Sequence, residues 1–304
     1  MRLGRVVATY GRHYEVQEQR AGVLLPEATA LFQCVRRGKR HDVACGDEVE
    51  FADGATGQGV IETVLPRRNL LYRADGQREK MLASNLDLVL VVLAPEPTPS
   101  EALLSHALVA AQSAGIEARI ILNKQDLAQV GALSQALNYY HLLGYSVLEI
   151  SALNNPEALR AQVAGRVCLL VGQSGMGKST LVNALVPQAR AHTNRISQAL
   201  DSGRHTTTFT RYYPLEQAHP DSGGGLIDSP GLQAFGLSYL RPEQIVHAFP
   251  EFERLLGQCR FANCRHLTEP GCAFRGWSEG HPQRQARLGY LVQLQAASTA
   301  RRHF

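Results

Sequence analysis

Over the first 70 residues, short apolar-rich runs alternate with glycine-bearing turns. Residues 5–10, 14–16, 32–35, 47–52 and 59–65 each read as a strand, and Gly11, Gly38, Gly46, Gly54, Gly57 and Gly59 punctuate them. Short strands at this spacing predict a small five-stranded β-barrel of OB-fold type, with Pro66, Arg67 and Arg68 at its exit. From residue 86 the pattern changes. Residues 86–94 are a continuous apolar run, as a parallel strand covered on both faces requires. A helical pattern over 99–114 follows, then a strand at 118–123, a helix at about 131–143, and strands at 146–151 and 166–172. This alternation predicts an α/β doubly wound sheet. After Gly231 the sheet pattern stops, and 241–258 and 282–300 predict helices. The chain divides accordingly into a barrel (1–70), an α/β domain (71–240) and a helical region (241–304).

Composition narrows the classes. Of 304 residues 44% are hydrophobic and 19% charged, enough for a buried core and too few charges for a disordered chain. No apolar run approaches the roughly 18 residues of a membrane span, and residues 1–16 hold no uninterrupted apolar stretch. The expectation is a soluble cytoplasmic protein. The net charge of +4 is unevenly spread, at +2 over 1–73, −2 over 74–240 and +4 over 241–304. The lysines are Lys39, Lys80, Lys124 and Lys178; every other cation is Arg, which suits phosphate recognition and stacking on bases.

The strongest chemical pattern is Gly172, Gln173, Ser174, Gly175, Met176, Gly177, Lys178, Ser179, Thr180. It has the phosphate-loop form G-x-x-x-x-G-K-[ST], follows an apolar strand and opens a helix-compatible run, the context that the motif needs. Backbone N–H groups there can curl around a phosphate, Lys178 can reach the β and γ oxygens, and the Ser179 hydroxyl can ligate Mg²⁺. Downstream, Asp228-Ser-Pro-Gly231 follows the apolar pair Leu226 and Ile227. A carboxylate there can hold Mg²⁺ through water, and the Gly231 N–H can sense a γ-phosphate. Upstream, Asn123, Lys124, Gln125 and Asp126 end a strand. An aspartate so placed can accept from the N1–H and N2–H₂ edge of guanine, a donor pair that adenine lacks, while Asn and Lys brace the base and the phosphate loop. Ser151, Ala152 and Leu153 end the next strand and complete the base pocket.

The motifs stand in an unusual order. The base-reading residues come first, the phosphate loop next, and Asp228–Gly231 last. This is a circular permutation, which leaves every motif at the same carboxyl edge of the sheet. Between the phosphate loop and Asp228 lies Gly203-Arg-His-Thr-Thr-Thr208, from which either Thr206 or Thr207 is expected on Mg²⁺ and the γ-phosphate. Leu232 stands roughly where many GTPases carry a water-positioning Gln. An apolar side chain cannot orient water, so intrinsic hydrolysis is expected to be slow. The segment after Asp228–Gly231 is about nine residues long before the next helix, too short for a slack tether, and is expected to pass nucleotide-dependent motion straight to the helical region.

Cys259, Cys264, His266 and Cys272 cluster in that region. Three thiolates and an imidazole make a closed tetrahedral Zn²⁺ set, structural rather than catalytic. Cys34, Cys45 and Cys168 sit in apolar contexts and read as buried inert thiols. Arg254, Arg260, Arg265 and Arg275 surround the cluster, and Arg36, Arg37, Lys39 and Arg40 lie near Tyr10, Tyr14 and Phe32 in the barrel. Both groups are candidates for RNA contact by charge and stacking.

Together, the barrel, the permuted N-K-Q-D, G-Q-S-G-M-G-K-S-T, G-R-H-T-T-T and D-S-P-G motifs, and C-x₄-C-x-H-x₅-C resemble the ribosome small-subunit-dependent GTPase A family. The resemblance implies an OB-fold, a circularly permuted P-loop GTPase domain and a zinc-binding helical domain. It also implies docking on the small ribosomal subunit and its rRNA in late maturation, with hydrolysis of GTP to GDP and phosphate stimulated by that subunit. By resemblance His205 falls on the position held to assist hydrolysis, and Leu232 on the hydrophobic replacement of Gln. The expected groups are GTP or GDP, Mg²⁺ and one structural Zn²⁺, in a monomer. An RNA-binding checkpoint that uses GTP only as an occupancy switch is the alternative; the intact Lys178, Ser179 and Asp228 favour the enzyme.

Overall fold

The computed structural model describes residues 1–300 apart from 21, 39–40, 56, 76–77, 188, 190–208, 216–223, 230–231 and 233. The amino-terminal module comprises β1 (Arg2–Tyr10), β2 (His13–Arg20), β3 (Val23–Leu24), α1 (Glu27–Ala30), β4 (Leu31–Arg36), β5 (Glu48–Asp53) and β6 (Gln58–Val64). β1 pairs with β2, β2 with β4, β4 in parallel with β6, β6 with β5, and β5 with β1, so five strands close on themselves as the strand pattern predicts. Tyr14, Val16, Phe32, Val49, Phe51 and Ile61 fill the interior. Tyr14 and Phe32 are therefore core residues and offer no stacking platform.

A hairpin of β7 (Leu70–Asp75) and β8 (Arg78–Ser84) leads into the second module. There follow β9 (Leu88–Leu93), α2 (Glu101–Ser113), β10 (Glu117–Leu122), α3 (Val130–Leu142), β11 (Ser146–Glu149), α4 (Glu157–Val163), β12 (Val167–Val171), α5 (Lys178–Leu185), β13 (Thr210–Pro214) and β14 (Gly225–Asp228). The sheet order is β11-β10-β9-β12-β14-β13, with β13 antiparallel to the parallel rest. β9 shows why its apolar run is unbroken. Val89, Val91 and Leu93 pack on one face of the sheet and Leu88, Leu90 and Val92 on the other.

The sheet does not end at β13. Its outer edge pairs with barrel strand β1, Ala8 opposite Arg211 and Thr9 opposite Thr210, so the barrel and the α/β sheet share one backbone ladder. A second joint involves the hairpin. Ala74 N–H donates to the Ala234 carbonyl at 3.1 Å, Gly236 N–H to that of Tyr72 at 2.9 Å, and Ser238 N–H to Glu79 Oε1 at 2.7 Å. Leu232, Phe235, Leu237 and Leu240 are buried there. The connection after Asp228 thus docks on the hairpin before it reaches the helical region, and does not run directly to it.

The carboxyl-terminal module holds α6 (Pro242–His247), α7 (Pro250–Glu253), α8 (Ala273–Ser278) and α9 (Pro282–Ala300). The helix expected over 241–258 breaks at Phe249, whose backbone is extended because Pro250 follows it. Arg287 of α9 is 1% exposed. It donates to Glu251 Oε1 at 2.6 Å, to Glu251 Oε2 at 3.2 Å and to Ser105 Oγ of α2 at 3.0 Å, with its guanidinium over the Phe249 ring. One buried cation therefore joins α7, α9 and the α/β module. Arg287→Ala strands the Glu251 carboxylate in the core and is expected to lower stability by about 3–5 kcal/mol, measured by denaturant unfolding.

Candidate nucleotide site and metal cluster

Parallel strands put their carboxyl ends, and the loops that leave them, at one edge. β9, β10, β11, β12 and β14 each deliver one loop there, and a cavity of about 810 Å³ lies among those after β9, β10, β12 and β14, the size of an ordinary ligand site. Gly172, Gln173, Ser174, Gly175, Gly177, Lys178, Ser179, Thr180, Lys124, Asp228 and Leu232 line it. Gly177 has a left-handed φ of +89°, and a Cβ there would stand 2.3 Å from Asn123 Nδ2. Glycine is required at that point for both reasons.

Asn123 ties two loops together. It is 1% exposed, its Nδ2 donates to the Met176 carbonyl at 2.9 Å, and its Oδ1 accepts from the Ala152 N–H at 2.9 Å. The loop that follows β11 is thereby set against the phosphate loop. Asp126 Oδ1 accepts from Ser151 Oγ at 2.6 Å, and this hydroxyl holds the Asp126 carboxyl below its usual range. Lys124 Nζ reaches the Glu96 carbonyl at 2.7 Å. Gln125 N–H donates to the Ile150 carbonyl. Leu153 is 76% exposed, at the rim.

Lys178 Nζ donates to the carbonyls of Gly172 at 2.7 Å and Gln173 at 2.8 Å. Burial lowers the Lys178 pKa, with Asp228 opposing, and burial raises that of Asp228, with Lys178 opposing. Each charge is desolvated more than the other compensates it. Among the described residues, Asp228 Oδ1 is buried without a hydrogen-bond partner. An orphaned carboxylate oxygen beside a phosphate loop fits a Mg²⁺ site, and Ser179 lines the same cavity. His205, Thr206, Thr207 and Gly231 lie outside the described residues. Leu232 is buried at the cavity wall.

Residues 96–100 carry a role that the sequence reading passes over. Ser100 caps α2 through its Oγ, and its N–H donates to Gln173 Oε1 at 2.6 Å. Pro97 packs over Gly175. The proline run Pro95, Pro97, Pro99 is the signal that could have shown a fixed loop rather than a simple connection.

In the helical module, the ligand atoms of Cys259, Cys264, His266 and Cys272 lie within 4.8 Å of one another. His266 Nδ1 is 3.7 Å from Cys259 Sγ and 3.5 Å from Cys272 Sγ, close to the edge of about 3.6 Å that a tetrahedral zinc site gives between sulfur and nitrogen. The imidazole is fixed by stacking on Phe274, with ring centroids 3.7 Å apart and planes at 3°. The donor set fits Zn²⁺. The other cysteines are buried, and burial pushes the thiols of Cys34 and Cys168 up to about 12 and that of Cys45 up as well. Such thiols are inert.

The base-reading loops after β10 and β11 precede the phosphate loop after β12 on a six-stranded sheet, the order of a circularly permuted P-loop GTPase. A family profile described as RsgA GTPase matches residues 64–238. A small ribosomal subunit biogenesis GTPase RsgA of Paraburkholderia xenovorans is 48% identical over 301 residues, which cover 97% of this chain and 93% of that protein. The chain belongs to the RsgA GTPase family. YjeQ from Thermotoga maritima is similar in structure, with a TM-score of 0.66 and 26% identity over 97% of this chain and 98% of that one. So is YloQ, titled a circularly permuted GTPase, with a TM-score of 0.64 and 23% identity over 99% and 96%, a likeness of fold alone. The protein is a GTP-hydrolysing enzyme, with GTP, GDP and Mg²⁺ as its nucleotides and ion.

Two substitutions test the base pocket. Asp126→Asn places a donor against the guanine donors and is expected to move preference from guanine toward xanthine nucleotides, read by calorimetric titration of both. Asn123→Ala leaves the Met176 carbonyl and the Ala152 N–H unpaired in the core, and guanine nucleotide affinity is expected to fall about tenfold or more.

Proposed function

We propose that this chain hydrolyses GTP while bound to the small ribosomal subunit, in a late step of that subunit's maturation. The observation that carries the reading is identity of 48% over nearly the whole chain, barrel and cysteine cluster included, to a protein named for small ribosomal subunit biogenesis. Three units share the work in this reading: residues 1–70 and 241–304 grip rRNA, and 71–240 binds and turns over nucleotide. No helix among the described residues is long and apolar enough to cross a membrane; the reading is of a cytoplasmic protein that works as a monomer.

Within the site, Asp126 accepts from the guanine edge, backed by Ser151, while Asn123, Lys124, Gln125, Ala152 and Leu153 shape the base pocket. Gly172 to Gly177 offer N–H groups to the β-phosphate, and Lys178, Ser179 and Thr180 follow it at the head of α5. Ser179 and Asp228 hold Mg²⁺ together with Thr206 or Thr207, and the ion supplies charge to the β and γ oxygens. Leu232 excludes water from one wall and orients none. The attacking water then needs another group, His205 or one lent by the subunit. Zn²⁺ on Cys259, Cys264, His266 and Cys272 staples a loop-rich segment with little core of its own.

The zinc module is the better supported RNA surface. Among the described residues Arg254, Arg260, Arg265 and Arg275 are in no salt bridge, and Arg260 lies over the half-exposed Phe261 ring. In the barrel, Arg36 is paired with Asp42 and Arg37 with Glu62, which cancels much of the expected patch; Lys39 and Arg40 lie outside the described residues.

GTP turnover measured with purified small subunits, large subunits and free RNA tests the assignment. Small subunits are expected to raise the rate by about tenfold or more, since charge stabilisation supplied by a partner is worth at least that; equal rates with all three contradict it, and binding without turnover supports an occupancy switch instead. Cys264→Ser is expected to release the metal and lower the melting temperature while guanine nucleotide affinity stays near wild type, read by elemental analysis and titration.

A further inference from the structure

The ladder that joins the barrel to the sheet places four residues in one row: Glu15 on β2, Ala8 on β1, Arg211 on β13 and Asp228 on β14. Directly opposed residues of antiparallel strands share a face, so the side chains of Glu15 and Arg211 stand on the same side of the sheet with Ala8 between them. They meet across it. Arg211 Nη1 donates to Glu15 Oε2 at 2.7 Å and to the Tyr10 hydroxyl at 3.1 Å, with side chains only 7% and 13% exposed for Arg211 and Glu15. Glu27 lies 3.5 Å from the same guanidinium. The strands that carry Glu15 and Arg211 are two spacings apart, about 10 Å, and only a small residue between them lets the pair close. Ala8 is that residue.

The next row repeats the connection. Thr9 opposes Thr210, and Thr210 Oγ1 donates to Ser229 Oγ at 3.1 Å, with Thr210 and Ser229 both buried. Tyr10 stacks on Phe209 at 6.0 Å. Strand β13 thus has β14 on one side and the barrel on the other. Its position beside Asp228 and Ser229 is set by the barrel as well as by its own domain.

We propose that Glu15 of the barrel is a positioning residue for GTP hydrolysis: by pairing with Arg211 across Ala8 it fixes β13, and through β13 the placement of the magnesium carboxylate Asp228. The proposal rests on the GTPase reading of the site. The barrel then serves the reaction as well as any RNA it grips, because its second strand completes the support of a group at the nucleotide. The base pocket and phosphate loop hang from β9, β10, β11 and β12 and do not pass through β13, so a fault in this row reaches the ion and the chemical step before it reaches nucleotide affinity.

The test is steady-state GTP hydrolysis by the full chain with small subunits, at Mg²⁺ concentrations from micromolar to millimolar, for wild type, Glu15→Gln, Ala8→Leu and Tyr10→Phe, together with calorimetric titration of Mg²⁺ into the GDP-bound proteins. In that titration affinity is expected to weaken several-fold in Glu15→Gln, and a wild-type affinity overturns the proposal. For Glu15→Gln, kcat is expected to fall about tenfold, the Mg²⁺ concentration at half-maximal rate to rise several-fold, and KM for GTP to stay within about twofold. Excess Mg²⁺ recovers part of the loss. Ala8→Leu reproduces this without removing a charge, and Tyr10→Phe, which keeps the ring on Phe209, gives a smaller shift in the same direction. Wild-type kcat and Mg²⁺ dependence in Glu15→Gln overturn the proposal. So does a uniform loss at every Mg²⁺ concentration together with a lower melting temperature, the mark of a merely structural role. Should Glu15→Gln fail to fold, an unchanged Mg²⁺ dependence in Tyr10→Phe overturns it. A wild-type protein with no GTP turnover would instead sink the GTPase reading, and the positioning role with it.

Discussion

The parallel backbone ladder through β9, β10, β12 and β14 is the constraint on which the rest depends. A parallel sheet sends every carboxyl end to one edge, whatever the order in which the chain visits its strands. That is why a permuted chain can assemble a nucleotide site at all. The base-reading loop leaves β10 some fifty residues before the phosphate loop leaves β12, yet Asn123 donates to Met176 and accepts from Ala152. Permutation alters only the connections between strands. The segment after Asp228, no longer tied to a following strand of the sheet, docks on the hairpin that precedes β9.

A largely buried arginine joins each flanking module to the GTPase module. Arg211 pairs with Glu15 across the barrel joint, while Arg287, held by Glu251 inside the helical module, reaches Ser105 of α2 by a hydrogen bond. Exposed pairs such as Arg160 with Glu157 contribute little to stability. A buried pair is costly to break from one side, because the remaining charge stays in the core. The two joints meet the GTPase module at different places, one at the β13 edge beside Asp228 and one on α2. The amino end of α2 is in turn held to Gln173 of the phosphate loop through Ser100.

Much of this was legible in the sequence wherever the pattern is local. The unbroken apolar run at β9, the phosphate loop between strand and helix, and the barrel's short strands all declare themselves within a few residues. What was not legible depends on distant partners. β13 reads Thr-Arg-Tyr-Tyr-Pro, and Arg211 looks unfit for a buried strand until Glu15, 196 residues away, is seen to neutralise it. The hairpin of β7 and β8 hides behind its charged residues, Arg73 and Lys80 among them. The basic residues and aromatics of the barrel suggested an RNA face, but Tyr14 and Phe32 point into the core and Arg36 and Arg37 have carboxylate partners. Pro250 was a readable stop inside the expected helix over 241–258, and its effect follows from the steric demand that proline makes on the residue before it.

One sheet edge brings the separated motifs to a single guanine nucleotide. A crystal structure of the full chain with a non-hydrolysable GTP analogue and Mg²⁺ tests it most directly. The guanine edge is expected on Asp126, the phosphates over Gly172 to Ser179, and the ion within one water of Asp228. A base seated away from Asp126, or an ion that makes no contact with Asp228 directly or through water, would contradict it.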